Sequence, residues 1–148
     1  MARKSTFLRS LLLAATAAGL AACDGYRLSI NEQAIGQARE VFRAYDIPDK
    51  NLRNCVSQRI NDEQIQHAGQ LDYLNCSHAD ITELTGLAIF VSLAQIDLSS
   101  NHIRDIGELN RLPQLKEVNL DKNSSVDCSQ VAALRAKQEI EVKAKSCP

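Results

Sequence analysis

The sequence has no Trp, and aromatic residues make up only 4% of its 148 positions. Any core must therefore be built from Leu, Ile, Val and Ala, which suits the thin layers of a stacked repeat. It also lacks a long hydrophobic run. The apolar stretch at 11–20 falls well short of the roughly 20 residues that a transmembrane helix needs. Basic charge is scarce too: three of the 17 Lys and Arg and none of the 18 Asp and Glu lie in residues 1–22, so the net charge of −1 becomes −4 without that segment. A mildly acidic domain has no basic surface to neutralise phosphates, which argues against nucleic acid as a partner. No C-x-x-C pair or zinc spacing occurs, and neither do G-x-S-x-G, H-E-x-x-H, a P-loop or a dinucleotide fingerprint. No catalytic residue, metal ligand or cofactor is expected. What remains, with hydrophobics at 45% and charged residues at 24%, is the composition of one ordinary globular domain.

The amino terminus has the layout of an export signal: Arg3, Lys4 and Arg9 ahead of a short apolar middle, then small residues. Leu20-Ala21-Ala22-Cys23 resembles the lipobox of bacterial lipoproteins. That resemblance implies a diacylglyceryl group on the Cys23 thiol, cleavage before Cys23 and acylation of the new amino terminus. Each buried acyl CH₂ contributes about 0.8 kcal/mol, so two or three chains together hold a small domain on a bilayer. Asp24 resembles the signal that retains lipoproteins at the inner membrane, and the expected address is the cell envelope, facing the periplasm.

Residues 23–30 carry no pattern and read as a tether. From 31 to 45, Ala34, Ile35, Ala38, Val41, Phe42 and Tyr45 recur at three- and four-residue steps, which predicts a helix capped by Asn31 and ended by Pro48. A second helix follows, capped by Asp49 or Asn51, with Leu52, Cys55, Val56 and Ile60 on its apolar face. Polar residues at 61–70 close this segment, and the 31–70 region is similar to the helical N-terminal cap of internalin-type proteins.

Shifting the chain against itself by 22 residues brings like residues into columns. Leu71, Leu93 and Leu115 form the first, Leu74, Ile96 and Val118 the second, and Cys76, Leu98 and Leu120 the third. Ala79, Asn101 and Asn123 follow, then Leu84, Ile106 and Cys128, then Leu87, Leu109 and Val131, then Phe90, Leu112 and Leu134. The pattern resembles the leucine-rich repeat L-x-x-L-x-L-x-x-N/C-x-L in its 22-residue bacterial form. Ile140 and Val142 fall in the second and third columns one period later, so a fourth strand is expected there. The resemblance implies an α/β fold: a short leucine-rich-repeat solenoid over 71–148, with a C-terminal cap, parallel β-strands on its concave face and a helical N-terminal cap. Asn101 and Asn123 would bond the backbone of the turn that leaves each strand. Ala79 departs from that column, as first repeats often do.

With Cys23 committed to lipid, four cysteines remain in an exported chain, and they allow three pairings. On the repeat pattern Cys55 of the cap helix lies over Cys76 of the first strand, while Cys128 and Cys147 follow the third and fourth strands. The expected disulfides are therefore Cys55 with Cys76 and Cys128 with Cys147, one at each open end. Of the histidines, His78 and His102 lie on neighbouring turns near Asp80, Glu83 and Asp105, in the manner of surface polar residues. The outward strand positions make two rows, Tyr73, Gln95 and Glu117, and Asn75, Asp97 and Asn119. They are the candidate binding face, with Tyr73 as its aromatic anchor. The chain is thus expected to be a monomeric, lipid-anchored module that holds a protein partner in the envelope, or else a spacer whose strand positions are simply solvated.

Overall fold

The computed structural model describes residues 29–30, 33–34, 40–137 and 139–147. The export signal, Cys23 and Asp24 lie outside the described residues. The chain divides into two compact units, 1–38 and 39–148. In the first, β1 (Ser29–Ile30) and β2 (Gln33–Ala34) pair antiparallel, with Ser29 opposite Ala34. Ala34 is therefore extended where a helix was expected.

The second unit opens with a correction of the same kind. Residues 40–49 have no helical backbone, although Val41, Phe42 and Tyr45 do pack against the core. Tertiary partners satisfy this segment instead of its own turns. The Phe42 N–H donates to Ile65 O at 2.7 Å, and the Arg53 guanidinium donates to Ile47 O at 2.6 Å. Laid out this way, Phe42 and Tyr45 both reach Phe90, with ring centroids 6.2 and 5.8 Å away. Ring contacts of that kind add to the burial of the rings themselves. Tyr45 also places its hydroxyl 2.7 Å from Ser57 Oγ.

The second helix forms as expected. α1 (Lys50–Asp62) begins at Asp49, whose Oδ1 accepts from the N–H groups of Asn51 and Leu52, both at 2.9 Å. Leu52, Val56 and Ile60, at four-residue steps, are its buried face. Beyond it lie β3 (Tyr73–Asn75), β4 (Gln95–Asp97) and β5 (Glu117–Asn119), then α2 (Cys128–Arg135) and β6 (Glu141–Lys143). The four strands form one parallel sheet in chain order. Leu74, Ile96 and Val118 stand side by side and are buried, so the 22-residue columns are structural neighbours. Short 3₁₀ segments, Leu87–Ile89 and Gly107–Arg111, lie between strands and bury Leu87 and Leu109. A left-handed residue recurs in each turn at the same spacing, at His78, Ser100 and Lys122.

Two positions depart from the sequence expectation. Val142, not Ile140, pairs with Val118, so the fourth strand sits 24 residues after the third. The third connection carries a full α-helix, α2, where the earlier ones carry 3₁₀ turns, and two more residues are needed to complete it. Ala144 then takes the buried place that the column assigned to Val142. Cys128 is not a core residue either: Val126 is buried in that connection and Cys128 is exposed at the start of α2.

Asn101 and Asn123 are the only buried polar side chains among the described residues. Asn101 Oδ1 accepts from the N–H groups of Ala79 and Ile81, at 3.1 and 3.0 Å, while its Nδ2 donates to Cys76 O and Leu98 O at 2.9 Å. Asn123 repeats this one turn later, bonding Ile103 N, Leu98 O and Leu120 O. Each amide therefore ties its own turn to the preceding one. Ala79 opens the series and has no earlier turn to hold, which explains why no Asn is needed there. Segment 49–51 secures that first turn from the other side. Asp49 Oδ2 accepts from Thr82 N, Thr82 Oγ1 and Glu83 N, and Asn51 Nδ2 donates to Asp80 O.

The disulfides are Cys55–Cys76 and Cys128–Cys147. The first joins α1 to the end of β3 and the second joins the start of α2 to the segment after β6. Each closes one end of the sheet.

Candidate functional site

The sheet turns its non-core face outward, and the pleat decides which residues stand on it, because side chains alternate along a strand. In each of β3, β4 and β5 the central residue is buried and the flanking pair points out. Strand register places Tyr73, Gln95, Glu117 and Glu141 in one row, and Asn75, Asp97, Asn119 and Lys143 in the other. Tyr73, Gln95, Asp97, Glu117, Asn119 and Lys143 line an open groove of about 170 Å³. Of the six residues singled out from the sequence, five line it. Asn75 stands at its margin.

The two rows differ in how far they are already occupied. In the second row each first amide or carboxylate oxygen accepts the N–H two residues ahead: Ser77 to Asn75 at 3.0 Å, Ser99 to Asp97 at 2.8 Å and Asp121 to Asn119 at 3.1 Å. These are Asx turns, which carry the chain out of each strand. Asn119 Nδ2 also donates to Asp97 Oδ2 at 3.1 Å. Partial burial of Asp97 opposes its charged form. The hydrogen bonds from Ser99 and Asn119, with His78 nearby, outweigh that and hold its carboxyl below the usual range.

The first row is looser. Gln95 Nε2 reaches Glu117 Oε2 at 3.2 Å, and Lys143 Nζ lies 2.6 Å from Glu117 Oε1 and 3.5 Å from Glu141 Oε1. Glu117 first, and Glu141 after it, raise the Lys143 pKa above its ordinary value. Tyr73 is 37% exposed, and the Arg59 guanidinium sits 5.3 Å from its ring centre. Arg59 in turn pairs with Glu63 at 2.7 Å. The groove therefore has an aromatic edge at β3, two amides and two carboxylates across its middle, and a clamped cation at β6.

The chain matches no family model, and no curated protein matches it.

Lys143 and Glu141 belong to this face but are absent from the sequence-based set. A 22-residue step from Glu117 and Asn119 reaches positions 139 and 141; the strand lies two residues further on, which keeps the same side chains outward but puts Glu141 in the first row and brings in Lys143 instead of Glu139. Arg59 was missed because it comes from α1, outside the periodic segment. No histidine lines the groove, and His102 Nε2 lies 3.5 Å from Asp80 Oδ1 on an exposed turn. Among the described residues no group of three or more His, Cys, Asp and Glu could hold a metal ion. Among them too, no helix is long and apolar enough to cross a membrane.

Proposed function

We propose that residues 71–147 form a short leucine-rich-repeat solenoid, with α1 as its N-terminal cap, and that the outward sheet face binds a protein partner in the bacterial envelope. Cys23 would carry the lipid that holds the domain at the membrane, with Asp24 favouring the inner one. The observation that carries this reading is the groove, in which residues 22 apart in sequence line one accessible surface with an exposed Tyr73 at its β3 edge. Tyrosine is enriched among the anchors of protein recognition, and this is the one aromatic on the face. Nothing in this reading calls for catalysis or a cofactor.

A photo-crosslinking residue at position 95, on the face, and another at position 133, on exposed α2, test it in the producing cell. A discrete adduct at 95 that is absent at 133, and lost when Tyr73 is changed to Ala, supports binding. Equal labelling at both positions refutes it. The anchor has its own test in the intact mass of the membrane-purified protein, which should be that of a chain starting at Cys23 with acyl groups added. A full-length or unacylated mass refutes the anchor.

A second reading, a spacer with no partner on this face, is favoured by the internal work of Asn75, Asp97 and Asn119. Their turn hydrogen bonds account for those residues without any ligand. Under it, the adduct at 95 should be missing.

A further inference from the structure

The two edges of the sheet are not alike. At β3 the edge lies beside α1 and the Cys55–Cys76 bridge. At the other end β6 pairs, among the described residues, only with β5. In that ladder Glu141 N–H donates to Lys116 O and Leu120 N–H donates to Lys143 O, each at 2.7 Å. Residues 141 and 143 thus aim their backbone groups at β5. By the alternation of a strand, the N–H and C=O of Val142 between them aim at the open side. The Val142 side chain faces the core but is only partly buried, and no further strand among the described residues covers it.

An open strand edge is a template for another strand, and charged residues usually guard it by repelling a copy of themselves. Here the flanking residues have opposite signs. In an antiparallel pair centred on Val142, the two valines exchange both backbone hydrogen bonds, and Glu141 of each copy lies opposite Lys143 of the other. Opposite charges placed so stabilise a pair of strands, and like charges destabilise it. The Glu141–Lys143 contact within one chain is the long one, at 3.5 Å, with side chains 66% and 48% exposed. Glu141 can therefore turn to Lys143 of a second chain while each Lys143 stays on its own Glu117.

We propose that two copies of this chain associate by antiparallel pairing of their β6 strands, joining two four-stranded sheets into one of eight. The contact is isologous, as two-fold symmetry requires. It leaves the outward face of each sheet accessible and departs from the monomer expected from sequence. A three-residue strand covers little surface, so the dimer is weak and reversible in solution. The proposal does not depend on the function proposed above.

Charge reversal tests it. Glu141→Lys places Lys at both flanks of Val142 and Lys143→Glu places Glu at both. Each variant then repels its own copy but complements the other variant. Sedimentation equilibrium of the full chain with its disulfides intact, from about 10 µM to about 1 mM, reads the association. The wild type should dimerise within that range, each variant alone at least tenfold more weakly, and an equimolar mixture of the two should recover heterodimer at or near wild-type strength. Thermal melts of the separate variants establish that both are folded. A wild type that stays monomeric to 1 mM overturns the proposal. So do variants that self-associate like the wild type, which would place the contact elsewhere, and folded variants whose mixture associates no better than either alone.

Discussion

Asn101 offers the sharpest test of how the turns are held together. Its side chain is 2% exposed and serves two donors, Ala79 N–H and Ile81 N–H, and three acceptors, Cys76 O, Leu98 O and, at 3.3 Å, the half-buried Ser99 O. Asn101→Ala removes all five bonds at once. Leu98 O keeps Asn123 as a partner, and Ala79 is only partly buried, so water can reach it. The Ile81 N–H and the Cys76 carbonyl lose the partner that Asn101 gave them. A buried polar group left unpaired costs about 1–3 kcal/mol. Two such groups at mid-range, with a smaller contribution at Ala79, put the loss at about 4 kcal/mol. Domains of this size are stable by about 5–15 kcal/mol, so the loss is a large fraction of the total. Equilibrium urea unfolding followed by far-ultraviolet circular dichroism, with both disulfides intact, measures it. Asn119→Ala is the control: that side chain is only half-buried and should cost about 1 kcal/mol. Asn101→Asp keeps the acceptor but turns an oxygen toward the carbonyls of Cys76, Leu98 and Ser99, so it should be at least as harmful as Ala at neutral pH. It should recover partly as acid protonates it. An Asn101→Ala loss below about 1.5 kcal/mol, or no larger than that of Asn119→Ala, would refute the reasoning.

Asp49→Asn should cost about 2 kcal/mol in the same assay, because an amide N–H₂ cannot accept from Thr82 and Glu83 while the other oxygen caps α1; an unchanged midpoint would show the 82–83 contacts to be idle. Gly86→Ala should cost about 3 kcal/mol or more, since φ is +88° and a methyl there overlaps the Asp46 carbonyl oxygen; a shift under 1 °C in the melting temperature would contradict this. Replacing Cys128 and Cys147 together by Ser should cost about 3 kcal/mol for a bridge with a sequence separation of 19, read as a lower urea midpoint, and an equal midpoint would count against it. Acid should destabilise the fold through Asp49 and Asp97, whose carboxyls the fold holds below their ordinary values despite partial burial. Their contribution is complete above the unfolded pKa near 4 and is lost as the pH falls through the depressed values. Asp49→Asn should flatten that acid limb, and an identical pH profile would exclude Asp49 as a source.

How much was legible in advance depends on how local each signal is. The 22-residue columns placed β3, β4 and β5 correctly, because a strand whose one face is buried allows only one register. Asp49, Leu52, Val56 and Ile60 announced α1 through a cap and a four-residue step, both properties of a single helix. The pairings Cys55–Cys76 and Cys128–Cys147 followed from setting the cap helix over the first strand and the other two cysteines after the third and fourth strands. Tertiary structure decided the rest. Val41, Phe42 and Tyr45 have helical spacing, yet Ile65, Arg53 and Phe90 supply better partners for an extended chain, and no pattern within 31–45 contains those residues. The fourth strand slipped by two because the geometry of α2, not the period, sets where β6 returns to the sheet. That slip put Lys143 on the face in place of Glu139, moved Glu141 into the row of Tyr73, and left Val142 on the sheet's last strand. Sequence periodicity therefore determined which residues line the core, since burial repeats with the chain. The closing of the ends and the makeup of the outward face depended on contacts between segments far apart in sequence.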